Sequence, residues 1–185
     1  SKQVPLPLRT TPSGPEHAFN LAYSIREINE KPLLFLSHIG NYELANTFAF
    51  ETATWDTLYE YAANHDLLPD EEEYWGICYD DTLITHPDKC RFYACLTINA
   101  PVKSHLTSRI KSMTLPRQLY AVYCHKGKYT LLDTFYDAIL KNLPPNYLLG
   151  ESFILERYLN SPTDTPADEL LTEVWLPIKA IPTKI

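Results

Sequence analysis

The chain has 185 residues, a net charge of −7, and ordinary proportions of hydrophobic (45%) and charged (21%) residues. This composition indicates a soluble globular protein with one domain or a compact pair of subdomains. The excess of acidic residues disfavours a surface that binds nucleic-acid phosphates and suits a cationic or neutral partner, and no apolar run is long enough to span a membrane.

The first half of the chain begins with a proline-rich segment that has no strand-like or helix-like pattern. Residues 1–18 contain four prolines and Gly14, which predicts a linker or flexible lead. Polar and apolar residues then alternate from 19 to 28, as in a half-buried strand, and Pro32 marks a break or bulge before the next apolar run. The further predicted elements of this half are a strand over 33–36, an amphipathic helix over 44–64, and strands over 74–79 and 91–98.

The second half repeats this order in a shorter stretch. Residues 100–116 are polar and basic and predict a connecting loop between the halves. The predicted elements after it are a strand over 119–125, an amphipathic helix over 132–143 that Pro144 ends, and strands over 153–159 and 171–178.

A short motif occurs twice and indicates an internal duplication. His38-x-Gly40-x-Tyr42 recurs 87 positions later as His125-x-Gly127-x-Tyr129, whereas the later landmarks Tyr79 and Pro87 recur at 79 positions, as Tyr158 and Pro166. This order predicts two β-α-β-β units: repeat one over 19–99 and repeat two over 117–180. We therefore expect an α+β fold with pseudo-twofold symmetry, an antiparallel-rich sheet, two main helices on one face and a central groove.

The repeated residues resemble the GyrI-like small-molecule-binding family, which includes the effector-binding domain of AraC-type regulators. The resemblance spans about residues 20–180, and it is carried in the second half by 125–129, 155–162, 165–166 and 172–178. In the first half it is carried by the His-x-Gly-x-Tyr motif and by 76–81, 86–87 and 91–95.

The resemblance implies one effector-binding domain over 19–182 with a ligand groove between the repeats, often selective for lipophilic cations. It implies small-molecule binding as part of a transcriptional regulator or as a stand-alone drug-binding or toxin-binding protein. Two features depart from the family. The second helix lacks the tryptophans that many relatives carry, and the sequence has no counterpart of the AraC-type DNA-binding domain, so we expect no direct nucleic-acid binding.

Glu156 is the leading candidate for ligand binding. It lies in the middle of a strand, where a carboxylate is costly to bury without a partner, and the family's glutamate in this strand pairs with a cationic ligand. A strand residue ion-paired to a neighbouring basic side chain is the alternative. Trp75, Tyr93 and Trp175 are expected to line the groove, with core packing as the alternative, and Glu173 is a second carboxylate whose alternative is simple exposure.

Other polar motifs favour structural roles. We interpret His38 and His125 as parts of symmetric turns, and the acidic run 70–73 as a solvated loop with protein contact as the alternative. The four cysteines lack CxxC spacing and the six histidines lack HxxxH or HExxH spacing, so we expect no metal, no cofactor and reduced thiols, which favours the cytoplasm. An enzyme is the less favoured interpretation; the remaining alternatives are a hydrolase that uses Glu156 as a general base and a gyrase-inhibitor-like interaction module.

Overall fold

The computed structural model describes residues 19–102, 106–107 and 109–183, so the predicted linker over 1–18 lies outside the described residues. Within these ranges the chain forms nine strands and three α-helices. The strands are β1 Tyr23–Ile28, β2 Lys31–Ile39, β3 Tyr74–Cys78, β4 Arg91–Thr97, β5 Lys111–Leu115, β6 Gln118–Lys126, β7 Tyr147–Leu149, β8 Ile154–Tyr158 and β9 Leu171–Ala180. The helices are α1 Tyr42–Glu51, α2 Thr54–Asn64 and α3 Leu132–Leu140.

The strands form one antiparallel sheet, which confirms the expected α+β fold. Their order is β1-β6-β9-β8-β3-β4-β2-β5, and the short β7 pairs with the far end of β9. The two repeats meet where β3 pairs with β8 at the centre of the sheet. No helix in the described ranges is long and apolar enough to cross a membrane.

The two faces of the sheet have separate cores. All three helices pack on one face, where they bury residues such as Leu58, Phe135 and Val174. No helix of the described residues packs on the other face, yet that face buries Trp75, Trp175 and their neighbours against one another. A flat sheet would expose that face to water, so its burial reflects the curled, half-barrel shape of the sheet.

Matching hydrogen bonds define how the repeats correspond. The Gly40 amide donates to the Cys90 carbonyl at 2.9 Å, and the Gly127 amide donates to the Leu170 carbonyl at 2.8 Å. Cys90 and Leu170 are 80 positions apart. The spacing of 79 between equivalent residues, which Tyr79/Tyr158 and Pro87/Pro166 suggested for the later part of each repeat, is therefore wrong by one residue. The structural counterpart of Glu156 is therefore Gly76, the residue that pairs with it across β3 and β8.

A strand lies inside the segment expected to be a loop. Residues 103–105 and 108 are outside the described residues, but β5 occupies 111–115 and pairs with β2 of the first repeat. In the same way, β1 of the first repeat pairs with β6 of the second. Each repeat therefore contributes its first strand to the other repeat's edge. The polar sequence of β5 obscured it, because an edge strand pairs on one side only.

The single helix expected over 44–64 is two helices. Thr52 ends α1, since its amide and its Oγ1 bond to the Phe48 carbonyl at 3.0 and 2.6 Å, and Ala53 then adopts a left-handed conformation with φ of 52°. Neither residue is a glycine or proline, so the sequence carries no ordinary signal for this break. The break sets Phe50 and Trp55 in contact at 5.4 Å between ring centroids.

The repeated motif builds a turn in each half, as expected. Gly40 and Gly127 have φ values of 150° and 140°, which side chains disfavour. His125 is buried against Phe135, and its Nε2 donates to the Lys128 carbonyl at 3.1 Å. Burial lowers the pKa of the His125 imidazole, so the neutral form belongs to the folded state.

This burial makes folding stability depend on pH. Since the pKa of His125 is lower in the folded than in the unfolded chain, the unfolded chain takes up the proton first; the stabilisation is complete above about pH 6.5 and is lost as the pH falls further. His125→Gln keeps a donor for the Lys128 carbonyl and should flatten this decline between about pH 7 and about pH 5 in urea unfolding. Burial also lowers the pKa of His38, so part of the slope should remain. An unchanged slope in the variant would contradict the role of His125.

Candidate functional site

Glu156 lies at the centre of the sheet on the helix-covered face. Its side chain is 3% exposed, and it faces Gly76 in the pairing of β8 with β3. Because these two residues are also counterparts in the two repeats, the pseudo-twofold axis passes between them. One repeat thus places a carboxylate at the axis, and the other places a glycine there, which has no side chain of its own.

Neutral donors surround the Glu156 carboxylate. Asn46 Nδ2 of α1 and the Tyr158 hydroxyl donate to Oε1 at 2.7 and 2.8 Å, and the Tyr136 hydroxyl of α3 donates to Oε2 at 2.7 Å. Asn46 Nδ2 also donates to the Tyr158 hydroxyl at 2.7 Å. No Lys or Arg of the described residues forms an ion pair with Glu156, so the ion-paired alternative is not found there.

The two tyrosines keep their protons. Burial, reinforced by the nearby Glu156 charge, raises the pKa of Tyr136 and of Tyr158 well above the ordinary value. Both hydroxyls therefore remain donors at neutral pH. They solvate the carboxylate in place of water without cancelling its charge.

Aromatic rings enclose this polar centre. The ring of Tyr158 lies 5.5 Å from Phe50, 5.7 Å from Trp55 and 5.9 Å from Tyr129, between centroids. Phe50 and Tyr129 stack on each other at 5.8 Å. Such a set of π faces attracts cations, by about 0.5–2 kcal/mol for each ring in favourable geometry.

An open cleft of 640 Å³ reaches these rings from the surface. We call it the aromatic cleft; α2 and the loop after β8 form its sides, and its lining residues include Phe50, Trp55, Tyr59, Tyr74, Tyr158 and Asp164. Glu156 does not line the cleft. It lies behind Tyr158, a lining residue whose hydroxyl donates to the carboxylate.

Two polar atoms in this region have no hydrogen-bond partner among the described residues. They are Trp55 Nε1 and the Tyr129 hydroxyl, both buried. An unpaired buried donor costs about 1–3 kcal/mol. A ligand with an acceptor atom could recover part of that cost.

The other predicted site residues lie on the opposite face of the sheet. Side chains alternate along a strand, so Glu156 and Tyr158 face the helices, whereas Glu173 and Trp175 of β9 face the other way. Trp75 and Tyr93 belong to that second face too. The expectation that these four residues share one groove with Glu156 is therefore wrong, because the sheet separates them.

Sequence reasoning missed the residues that contact Glu156 or enclose it. These are Asn46, Phe50, Trp55, Tyr129, Tyr136 and Tyr158. One signal was present: Tyr158 lies two positions after Glu156 on the same strand and must share its face.

The acidic run over 70–73 differs in part from the expected solvated loop. Glu73 accepts a hydrogen bond from Lys31 Nζ at 2.9 Å and is half-buried, whereas Asp70, Glu71 and Glu72 are exposed as expected.

Comparison with known proteins agrees with this architecture. The sequence profile described as "GyrI-like small molecule binding domain" matches residues 21–179. A search of curated proteins finds no match. Among solved structures, the C-terminal domain of EcmrR superposes with a TM-score of 0.69 at 18% identity, covering 86% of this chain and 98% of that one.

Two further structures and one longer chain share the fold. SAV2435 bound to tetraphenylphosphonium has a TM-score of 0.54 at 17% identity, covering 85% of this chain and 94% of that one. A hydrolase from Listeria innocua has a TM-score of 0.59 at 13% identity, covering 88% and 94%. In the EcmrR–DNA complex the match has a TM-score of 0.67 at 17% identity and covers 86% of this chain but 58% of that one. This chain belongs to the GyrI-like small-molecule-binding domain family.

Proposed function

We propose that this protein is cytoplasmic and binds a lipophilic cation in the aromatic cleft, with the charge of Glu156 setting the preference for cations. The observation that carries the proposal is a buried carboxylate held only by neutral donors among the described residues. A charge in that position remains available to attract a ligand, whereas an ion-paired carboxylate would not.

Distance does not prevent this attraction. A cationic centre about 7 Å from the carboxylate gains roughly 2 kcal/mol at an effective dielectric constant of about 20. The rings around Tyr158 add cation–π attraction and apolar contact area. The ligand therefore needs a dispersed or shielded positive charge and several aromatic or apolar groups.

The volume and the wall of the cleft fit such a molecule. A volume of 640 Å³ lies within the range of pockets that hold drug-sized ligands. Asp56 and Asp164, which also line the cleft, favour the entry of a cation over an anion. SAV2435, which shares the fold, is known as a complex with tetraphenylphosphonium, and this supports the same ligand class here.

Ligand binding fits two biological roles. In a transcriptional regulator the domain would sense the ligand and transmit its binding to an attached DNA-binding domain, as the likeness to EcmrR suggests. As a stand-alone protein it would sequester a drug or toxin. In both roles the ligand is bound without turnover.

A pair of ligands with one shape and opposite charges tests the proposal. Tetraphenylphosphonium should raise the melting temperature and bind at least about 100-fold more tightly than tetraphenylborate in calorimetry, because the Glu156 charge attracts one and repels the other. Mass spectrometry should recover the bound ligand unchanged. Equal affinity for both ions, or binding of neither, would overturn the proposal.

A further inference from the structure

The loop after β8, which lines the aromatic cleft, has the same hydrogen bonds as the loop after β3 in the first repeat. The Arg91 amide donates to Asp80 Oδ2 at 2.7 Å, and the Leu171 amide donates to Asn160 Oδ1 at 2.8 Å. Two turn bonds match as well, the Thr85 amide to the Asp81 carbonyl at 2.8 Å and the Thr165 amide to the Ser161 carbonyl at 2.9 Å. Each residue and its equivalent are 80 positions apart, so Asn160 is the structural counterpart of Asp80.

A tyrosine hydroxyl binds the backbone of this loop in the first repeat. The Tyr42 hydroxyl accepts from the Asp80 amide at 2.7 Å and donates to the Arg91 carbonyl at 2.7 Å. The same hydroxyl lies 3.1 Å from the Asp80 carbonyl. Tyr42 is the tyrosine of the first His-x-Gly-x-Tyr motif, so in this repeat the motif itself satisfies the backbone of the loop.

The tyrosine of the second motif does not bond to the corresponding loop. Tyr129 is 8% exposed, and its hydroxyl has no hydrogen-bond partner among the described residues. Its ring stacks on Phe50 and packs against Tyr158, at 5.8 and 5.9 Å between centroids. We attribute this difference to Tyr158, which occupies the position that Cys78 has in the first repeat and has a much larger side chain.

The Asn160 amide therefore lacks the partner that the Asp80 amide has. No hydrogen bond joins it to another of the described residues, although the side chain of Asn160 is fully engaged. Its Nδ2 donates to the Glu169 carbonyl at 3.2 Å, and its Oδ1 accepts from the Leu171 amide. Because Asn160 lines the aromatic cleft, a backbone donor held in place by the loop is left for a ligand.

The neighbouring carbonyl indicates which kind of acceptor fits there. The counterpart of the Arg91 carbonyl is the Leu171 carbonyl, which accepts from the Leu159 amide at 3.1 Å and keeps a second lone pair. A ligand carbonyl or carboxylate oxygen beside it would be repelled. A hydroxyl would instead donate to it, as the Tyr42 hydroxyl donates to the Arg91 carbonyl.

We propose that the ligand of the aromatic cleft is a lipophilic cation with a hydroxyl group on one of its aromatic rings, and that this hydroxyl accepts from the Asn160 amide. A phenol holds the same position in the first repeat, where it belongs to Tyr42. This ligand class rests on the proposed cation binding and narrows it, because the hydroxyl distinguishes one aromatic cation from another of the same charge.

Pairs of cations that differ in one small group test this assignment. The probes are (hydroxyphenyl)triphenylphosphonium ions with the hydroxyl at the ortho, meta or para position, and the controls are the matching methylphenyl ions of nearly the same size. At least one hydroxyl compound should bind about fivefold or more tightly than its methyl control in calorimetry, since it gains a hydrogen bond that the methyl group cannot form.

The amide signals of Asn160 and Asp80 in a proton–nitrogen correlation spectrum locate this hydrogen bond. The bound hydroxyl compound should move the Asn160 proton signal to lower field relative to the bound methyl control. The Asp80 signal should be the same in both complexes, because Tyr42 already accepts from that amide. Tyr42→Phe removes the Tyr42 hydroxyl, so the Asp80 signal of this variant shows how large a shift one hydroxyl produces. Since Tyr42 is not among the residues that line the cleft, Tyr42→Phe should retain the preference for the hydroxyl compound.

Two results would overturn the assignment of the hydroxyl. They are equal affinity for the hydroxyl and methyl compounds at all three ring positions, or tighter binding of a hydroxyl compound without a shift of the Asn160 signal. In both cases the cation-binding proposal stands, because the methyl compounds carry the same charge and still bind. If none of the phosphonium ions binds, both proposals are wrong.

Discussion

Glu156→Gln is expected to weaken tetraphenylphosphonium binding by about 30-fold or more while the fold remains at least as stable as that of the wild type. The substitution keeps an oxygen that accepts from Asn46 and Tyr158 but removes the charge that attracts the cation. A loss of roughly 2 kcal/mol in binding free energy corresponds to this factor. Calorimetric titration gives the affinity, and urea unfolding of the free protein gives the stability.

The direction of the stability change separates a ligand-binding role from a structural role. A buried charge without a cationic partner costs folding free energy, so its removal should not destabilise the free protein. Glu173→Gln is the matched control, because it removes another buried carboxylate on the opposite face. It should bind tetraphenylphosphonium within about twofold of the wild type. Full affinity in Glu156→Gln would contradict the proposed site.

The sequence allowed the antiparallel architecture to be predicted and Glu156 to be singled out as a candidate, because both depend on local patterns. Alternation and the 3-4 spacing of apolar residues mark strands and helices. A carboxylate between apolar strand residues stands out for the same reason. The repeated His-x-Gly-x-Tyr motif located the two halves, and the positive φ values of Gly40 and Gly127 explain why glycine is needed at both turns.

The aromatic residues around Glu156 could not be predicted, because identical residue types in the two repeats do not show which positions of their strands are structurally equivalent. Tyr79 and Tyr158 look equivalent, but the structural counterpart of Tyr79 is Leu159: the amides of both bond, at 3.1 Å, to the first residue of the strand that follows. Tyr79 packs against Tyr93 on the helix-free face, whereas Tyr158 is buried beneath the helices. A shift of one position moves a side chain to the other face of the sheet, so the aromatic partners of Glu156 were misassigned.

The corrected register explains how a duplicated fold can hold a single charge at its centre. The residue that faces Glu156 across the pseudo-twofold axis is its own counterpart, Gly76. Two side chains on the axis would compete for the same space, whereas a glycine leaves room for the Tyr158 hydroxyl and the Phe92 ring. The charged site therefore depends on a missing side chain in the other repeat.

Gly76→Ala should consequently be among the most harmful small substitutions in the protein. The added Cβ would overlap the Tyr158 hydroxyl and the Phe92 ring, both buried, although the backbone conformation itself accepts alanine. We expect a loss of about 3 kcal/mol in unfolding free energy, which for a chain of this size lowers the melting temperature by roughly 6–12 °C. Tetraphenylphosphonium binding should weaken as well, since Tyr158 positions the Glu156 carboxylate.

Gly150→Ala is the matched control, because its Cβ would meet the Pro177 backbone at 3.4 Å, an ordinary contact distance. It should change the melting temperature by no more than about 2 °C. The steric cause also predicts non-additivity: Tyr158→Phe removes the hydroxyl that the new Cβ meets, so the double variant should lose less stability than the sum of the two single changes. Two results would contradict the steric explanation. One is that the stability losses of Gly76→Ala and Tyr158→Phe add fully in the double variant, and the other is that Gly76→Ala is as mild as Gly150→Ala. A partial recovery of both stability and cation binding in the double variant would show that the glycine at position 76 in one repeat is needed to accommodate Tyr158 and the Glu156 carboxylate of the other.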